Sequence, residues 1–222
     1  MTENTVIDGL DEIEIANTSI DEIDNENINL FYIAIDSSGS MDEYSNDMRI
    51  SLNNFKDALI NSKEADEILV ARADFSDRTN IGGYKKISEF NTDFSACGCT
   101  ALYDVIVEGA QKLKEYREYL KNEGMRVKAV FSVFSDGVDN SSHYSLSDAK
   151  RAVEDLNKEE ITTAFISFGG EATQVSKNLG FRNLLDVNGS SSELRKAFNC
   201  LSKSVIESSK SVVADEDDFF QI

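Results

Sequence analysis

The run Leu30-Phe31-Tyr32-Ile33-Ala34-Ile35, followed at once by Asp36-Ser37-Ser38-Gly39-Ser40-Met41, decides how this chain folds. Unbroken apolar character, without the alternation of a half-wet strand, reads as a central strand covered on both faces. A carboxylate stands where the run stops, and hydroxyls follow at 38 and 40. Residues two apart in a locally extended loop point to the same side, so Asp36, Ser38 and Ser40 can converge. Gly39 lets the chain bend between them.

Moving outward, buried strands alternate with amphipathic helices. Met48, Leu52, Phe55 and Leu59 form the apolar stripe of a first helix, and Ile68–Ala73 is a second strand. After Gly82-Gly83, residues Tyr84 to Phe90 are expected as an antiparallel edge strand. A long helix from about Ala101 to Asn122 carries Leu102, Val105, Ile106, Leu113, Tyr116 and Leu120 on one face and stops at Gly124. Val127–Phe134 is the next buried strand. A helix near Ser145–Lys158 has Ser145 or Ser147 as its cap. Then follow a strand at Ile161–Phe168, a helix near Glu171–Leu179, a short strand at Leu184–Val187 and a last helix at Ser191–Ser208. This order implies an α/β fold of Rossmann-like type: an open, mostly parallel sheet with one antiparallel edge strand and helices on both faces. One domain at 29–210 is expected, between an acidic N-terminal arm at 1–28 and an acidic C-terminal tail at 211–222.

The charge distribution agrees with that division. The 222 residues carry a net charge of −19, of which residues 1–48 supply 13 acids and no Lys or Arg, and residues 211–222 four acids and no base. The ends therefore hold −17 and the body only −2. Such a surface repels phosphate backbones, so nucleic acid and anionic membrane are poor partners, while cations and basic proteins suit it. No apolar stretch approaches the ~20 residues that span a bilayer. The N-terminus lacks a secretory pattern, and three cysteines fit a reducing compartment better than a disulfide framework. A cytoplasmic protein is expected. The tail Asp215-Glu216-Asp217-Asp218-Phe219-Phe220 reads as a solvated end; the sharper reading makes it a supply of carboxylates anchored by its two aromatics.

In open α/β sheets ligands gather beyond the carboxyl ends of the strands, where strand order reverses. Two further segments belong there: Ser135-Asp136-Gly137 after the Val127–Phe134 strand, and Cys97-Gly98-Cys99-Thr100, which delivers Thr100 to a helix start. Two carboxylates and three hydroxyls, without imidazole or thiolate in the equivalent places, suit a hard divalent cation. A calcium cage needs about six to eight oxygens, so Mg2+ or Mn2+ retaining waters fits better. The partial positive charge at the start of the first helix opposes a cation there.

Asp36-Ser37-Ser38-Gly39-Ser40 resembles the Asp-x-Ser-x-Ser element of von Willebrand factor A (VWA) domains, the metal-ion-dependent adhesion site (MIDAS). Cys99-Thr100-Ala101-Leu102-Tyr103-Asp104 resembles the family's threonine loop, and Ser135-Asp136-Gly137 its late aspartate. The resemblance covers about residues 29–208, with the three elements in the family's order. It implies a metal site of Asp36, Ser38, Ser40, Thr100 and Asp136, with the two serines ligating directly and Asp36 mainly through water. It also implies a last ligand from a partner's Asp or Glu. Cys97 and Cys99 depart from the small residues usual in related intracellular members. The chain resembles the prokaryotic intracellular branch, which includes the VWA proteins of tellurite-resistance operons.

The plain alternative for these residues is a Ser/Asp-rich loop that caps helices. Cys97 and Cys99 read as incidental small residues, because a disulfide across one residue is badly strained. His143, the only histidine, reads as an exposed loop residue, and Lys85-Lys86 as a solvated strand edge. Two functional classes follow. The first is a non-catalytic, metal-dependent protein-binding adaptor. The second is a Mg2+-dependent phosphohydrolase with Asp36 as nucleophile, which Ser38 disfavours where such enzymes carry a second aspartate.

Overall fold

The computed structural model of the chain describes residues 27–63, 68–170, 172–210 and 219–220. The acids of the N-terminal arm before residue 27, and those at 215–218, lie outside the described residues. Among the described residues seven strands form one sheet: β1 (Asn27–Asp36), β2 (Ile68–Phe75), β3 (Thr79–Ile81), β4 (Lys85–Lys86), β5 (Arg126–Ser135), β6 (Thr162–Phe168) and β7 (Asn183–Val187). The order is β3-β2-β1-β5-β6-β7, with β4 also on β2. β2, β1, β5, β6 and β7 are parallel, and β3 and β4 run antiparallel to β2.

Helices cover both faces. α1 (Ser45–Ile60), entered through a 3-10 turn at Gly39–Tyr44, and α5 (Ser191–Lys210) lie on one side. α2 (Leu102–Asn122), α3 (Leu146–Lys158) and α4 (Ala172–Leu179) lie on the other. Strand β1 shows why its sequence is apolar throughout. Ile28, Leu30, Tyr32 and Ala34 join the core under α2 and α3, while Phe31, Ile33 and Ile35 join the core under α1 and α5. The period of two sends alternate residues to opposite faces, and both faces are dry.

The expected edge strand differs. Pairing with β2 begins before Gly82, at Thr79–Ile81, resumes only at Lys85–Lys86, and gives way to a 3-10 turn at Ile87–Glu89. Tyr84 is buried in the core on one face and Ile87 and Phe90 in the core on the other; the 3-10 turn lets the last two, three residues apart, share a face, which a regular strand would not. Lys85 and Lys86 are half-buried at this irregular edge. The C-terminal aromatics also depart from the expectation of a solvated end. Phe219 is buried against the α1/α5 core, and its N–H donates to Asn183 Oδ1 at 2.9 Å. That anchor lies at the first residue of β7, whereas the candidate site lies beyond the last residues of β1 and β5, so the aromatics do not pack beside the metal loops.

From β1 the chain first adds β2 on one side and later β5 on the other. The reversal falls between β1 and β5, and the two strands end on Asp36 and Ser135.

Candidate metal centre

Asp36 is fully buried at the end of β1. Its Oδ1 accepts the Ser38 N–H at 2.9 Å and its Oδ2 accepts the Ser135 hydroxyl at 2.6 Å, so the carboxylate bridges the ends of β1 and β5. Burial, with a smaller contribution from the nearby Asp136 charge, lifts its pKa from 3.8 to about 6 despite hydrogen bonds from Ser135 and Ser38. A desolvated carboxylate with a second carboxylate close by is the electrostatic arrangement that a cation relieves.

The loop after β1 is pinned by its backbone. Ser37 N–H and Oγ–H both donate to Phe75 O, at 2.8 and 3.0 Å. Ser38 and Ser40 hydroxyl oxygens then stand 3.0 Å apart. Ser38 occupies the N-cap position of the 3-10 turn but its side chain caps nothing. The plain capping explanation therefore fails for this serine.

Thr100 is brought in by a separate set of bonds. Gly39 N–H donates to Gly98 O at 3.0 Å and Cys97 N–H to Ser37 O at 2.8 Å, which fastens segment 97–100 to the β1 loop. Gly98 has φ +84°, and a Cβ there would collide with the Asp77 carboxylate, which receives the Cys99 N–H at 2.7 Å. Only glycine fits that turn. Thr100 N–H donates to Asn140 Oδ1 at 2.7 Å, and Asn140 N–H returns to Thr100 O at 3.0 Å. Thr100 itself is buried, and Ala101 rather than Thr100 holds the N-cap position of α2, with no side-chain cap of its own.

The first N–H groups of α2 are met from the loop after β5 instead. Ser142 Oγ accepts from Tyr103 and Asp104 N–H, at 3.0 and 3.1 Å. In return the Asp104 carboxylate accepts the N–H groups of His143 and Tyr144. These bonds lock the β5 loop, which carries half-buried Asp136, onto the start of α2, which carries Thr100. The His143 ring is 91% exposed, as expected of a loop residue, with Nδ1 3.1 Å from Asp104 Oδ2.

The structure thus sets the loops bearing Asp36, Ser38, Ser40, Thr100 and Asp136 side by side at the switch point of the sheet. Sequence reasoning did not assign Ser135, Asn140, Asp77 or Ser142 any part in this assembly. Ser135 was signalled by its place beside Asp136. The others sit in polar loops with nothing local to mark them. Among the described residues no group of three or more His, Cys, Asp and Glu side chains is placed to hold a metal ion. Oxygen-only donors around a buried carboxylate fit a hard divalent ion. None of the three cysteines forms a disulfide, and no helix among the described residues is long and apolar enough to cross a membrane.

No protein-family model matches the sequence, and no curated protein matches it by sequence. Solved structures do resemble it. The pilus adhesin SpaC from Lactobacillus rhamnosus GG, in its open conformation, superposes with a TM-score of 0.63 at 13% identity, over 83% of this chain and 30% of that one. Proximal thread matrix protein 1 of the mussel byssus, with a zinc-occupied MIDAS motif, gives 0.58 at 20% identity, over 81% and 46%. BatB from Bacteroides thetaiotaomicron gives 0.54 at 15%, over 83% of this chain and 100% of that one. The chain thus spans about a third of the adhesin's length and about half of the byssus protein's.

Proposed function

Starting from a VWA-like fold, we propose that this chain is a non-catalytic, divalent-metal-dependent protein-binding adaptor. In this reading Mg2+ or Mn2+ is held by Ser38 and Ser40, and by Asp36, Thr100 and Asp136 directly or through water. The remaining ligand is an Asp or Glu of a partner protein. The observation that carries the reading is the pair of Ser38 and Ser40 hydroxyls 3.0 Å apart, beside buried Asp36, at a helix start where Ser38 caps nothing. The byssus protein of similar fold, solved with zinc in its MIDAS motif, supports a divalent ion at such a place. The hard oxygen set favours Mg2+ or Mn2+ over calcium, which takes more ligands.

The chain's own residues supply the rest. Asp36 ties β1 to β5 and adds negative charge; the hydroxyls contribute neutral oxygens, which leave a bound cation Lewis-acidic and receptive to an external carboxylate. Asp36 has no solvent exposure and both of its oxygens accept hydrogen bonds, an arrangement poorly suited to in-line attack on phosphorus. This supports the adaptor over the phosphohydrolase. A cytoplasmic location, and membership of the bacterial tellurite-resistance-like type with a role in stress response, are parts of the proposal that rest on the sequence resemblance and the unbridged cysteines.

The test is calorimetric titration of Mg2+ and Mn2+ into the full chain and into a Ser38→Ala/Ser40→Ala variant. Loss of binding with an unchanged circular dichroism spectrum is expected. Equal binding by the two proteins overturns the site. A phosphatase screen with Mg2+ runs beside it: turnover that disappears in Asp36→Asn overturns the non-catalytic reading.

A further inference from the structure

Beside the metal loops lies a polar cleft of about 560 Å3, reached past Ser37 and Cys97 and lined by Arg49, Arg72 and Arg78. The three arginines are not equivalent. Arg72 is engaged: Nε and Nη2 donate to Asp74 Oδ1 at 3.1 and 2.7 Å, and Nη1 donates to Asn91 O at 2.7 Å. Its side chain is only 8% exposed, so it forms a fixed wall, and Asp74 is neutralised by it.

Arg49 and Arg78 are different. Arg49 uses Nε alone, donating to Phe94 O at 3.0 Å, which orients the guanidinium and leaves its two terminal nitrogens to the cleft. Among the described residues Arg78 makes no side-chain hydrogen bond or ion pair, and Arg49 makes no ion pair. The carboxylate of Asp77, next in sequence to Arg78, accepts the Cys99 N–H and feels the Arg78 charge without a salt bridge to it. With Asp74 matched to Arg72, the remaining charge in the cleft is Arg49 and Arg78 against Asp93. A guanidinium offers two parallel donors that match a carboxylate, and held in place by a neighbour it loses little freedom on binding.

We propose that this cleft is a second anion subsite, which takes an acidic side chain of the same partner segment whose first carboxylate is bound at the metal. The occupant is an acidic peptide segment of a partner protein with two carboxylates a few residues apart. The inference rests on the metal-dependent reading for the first carboxylate only; Arg49 and Arg78 act on the second without a metal. Linking two weak contacts on one segment converts the second into an intramolecular event, so a doubly acidic segment binds more tightly than a singly acidic one.

The test uses fluorescein-labelled heptapeptides with one Asp, and a matched panel with a Glu added two to five residues away. Binding to the full chain is read by fluorescence anisotropy in Mg2+ and in EDTA. At one or more spacings the second acid strengthens binding about tenfold, as expected of a charge-assisted bidentate contact. In Arg49→Gln/Arg78→Gln that gain disappears, while binding of the one-Asp peptide in Mg2+ is unchanged. In Ser38→Ala/Ser40→Ala the Mg2+ dependence disappears, but the arginine-dependent gain persists. No gain at any spacing, or a gain that survives in the double arginine variant, overturns the subsite. One-Asp peptide binding that is equal in EDTA and Mg2+, with the arginine-dependent gain intact, supports the subsite and counts against the metal reading alone.

Discussion

Ser38 and Ser145 occupy the same kind of position, one residue before a helix, and do opposite things. Ser145 accepts the Asp148 N–H, and the Asp148 carboxylate accepts the Ser145 N–H in return: a closed capping box. Ser38 has the extended backbone of an N-cap residue, yet its hydroxyl lies against Ser40 and caps nothing. The helix on the far side of the site, α2, likewise lacks a cap from its own segment and borrows Ser142 from the loop after β5. The start of α3 follows the local capping rule, whereas Ser38 leaves its hydroxyl uncommitted to the turn it precedes and α2 is capped from a distant loop. Departures of this sort are what a functional site produces in an otherwise consistent sequence.

The contrast can be broken experimentally. The largest expected effect is on metal binding: Ser38→Ala/Ser40→Ala lowers Mg2+ affinity by about a hundredfold or more while stability changes by under about 0.5 kcal/mol, because no cap is lost. Calorimetry and thermal melting of the variant measure both. If stability fell by as much as a lost cap, the two serines would be structural after all.

Next in size is the pH behaviour of the metal-free chain. The pKa of Asp36 is raised on folding, from 3.8 to about 6. The stability linked to that group is therefore full below pH 3.8 and is lost as pH rises through about 6, a loss on the order of 3 kcal/mol. Urea unfolding in EDTA at pH 4 and pH 7, wild type minus Asp36→Asn, should show that difference. A flat difference curve would mean that the carboxylate is better solvated than its burial indicates. Saturating Mg2+ should restore stability at pH 7 to the wild type and not to the serine variant.

A smaller effect is expected at Gly98. Gly98→Ala forces a side chain into a positive-φ turn and against Asp77, costing about 1–2 kcal/mol by denaturant melts and loosening the segment that carries Thr100. Smallest is Ser145→Ala, which removes a conventional cap for about 1 kcal/mol and leaves Mg2+ affinity untouched. A change in metal binding there would erase the distinction between the two serines.

Much of this was legible in the chain itself. Continuous apolar runs such as Leu30–Ile35 mark central strands because both faces of the sheet are buried, and the 3-4 spacing of Met48, Leu52, Phe55 and Leu59 marks a helix with one wet side. Both patterns are local, so both survive being read in one dimension. The same holds for Asp36, Ser38 and Ser40, whose alternation is a property of five consecutive residues. Of Tyr84–Phe90 only Lys85–Lys86 pairs with β2, because a 3-10 turn follows, and a single short turn leaves no period to read.

The tertiary structure alone decided what depends on groups distant in sequence. Ser135 meets Asp36 across 99 residues and Asn140 holds Thr100 across 40, and no local spacing encodes either contact. Phe219, preceded by four acids, looks solvated in the sequence but is buried beside β7, because the core of the α1/α5 face extends to the sheet edge where it can be received. Arg49 and Arg78, 29 positions apart, share a cleft only because β2 lies next to β1 and α1 crosses above them. Hydrophobic periodicity is written residue by residue, while the partner of a polar group is set by which strand ends the topology brings together.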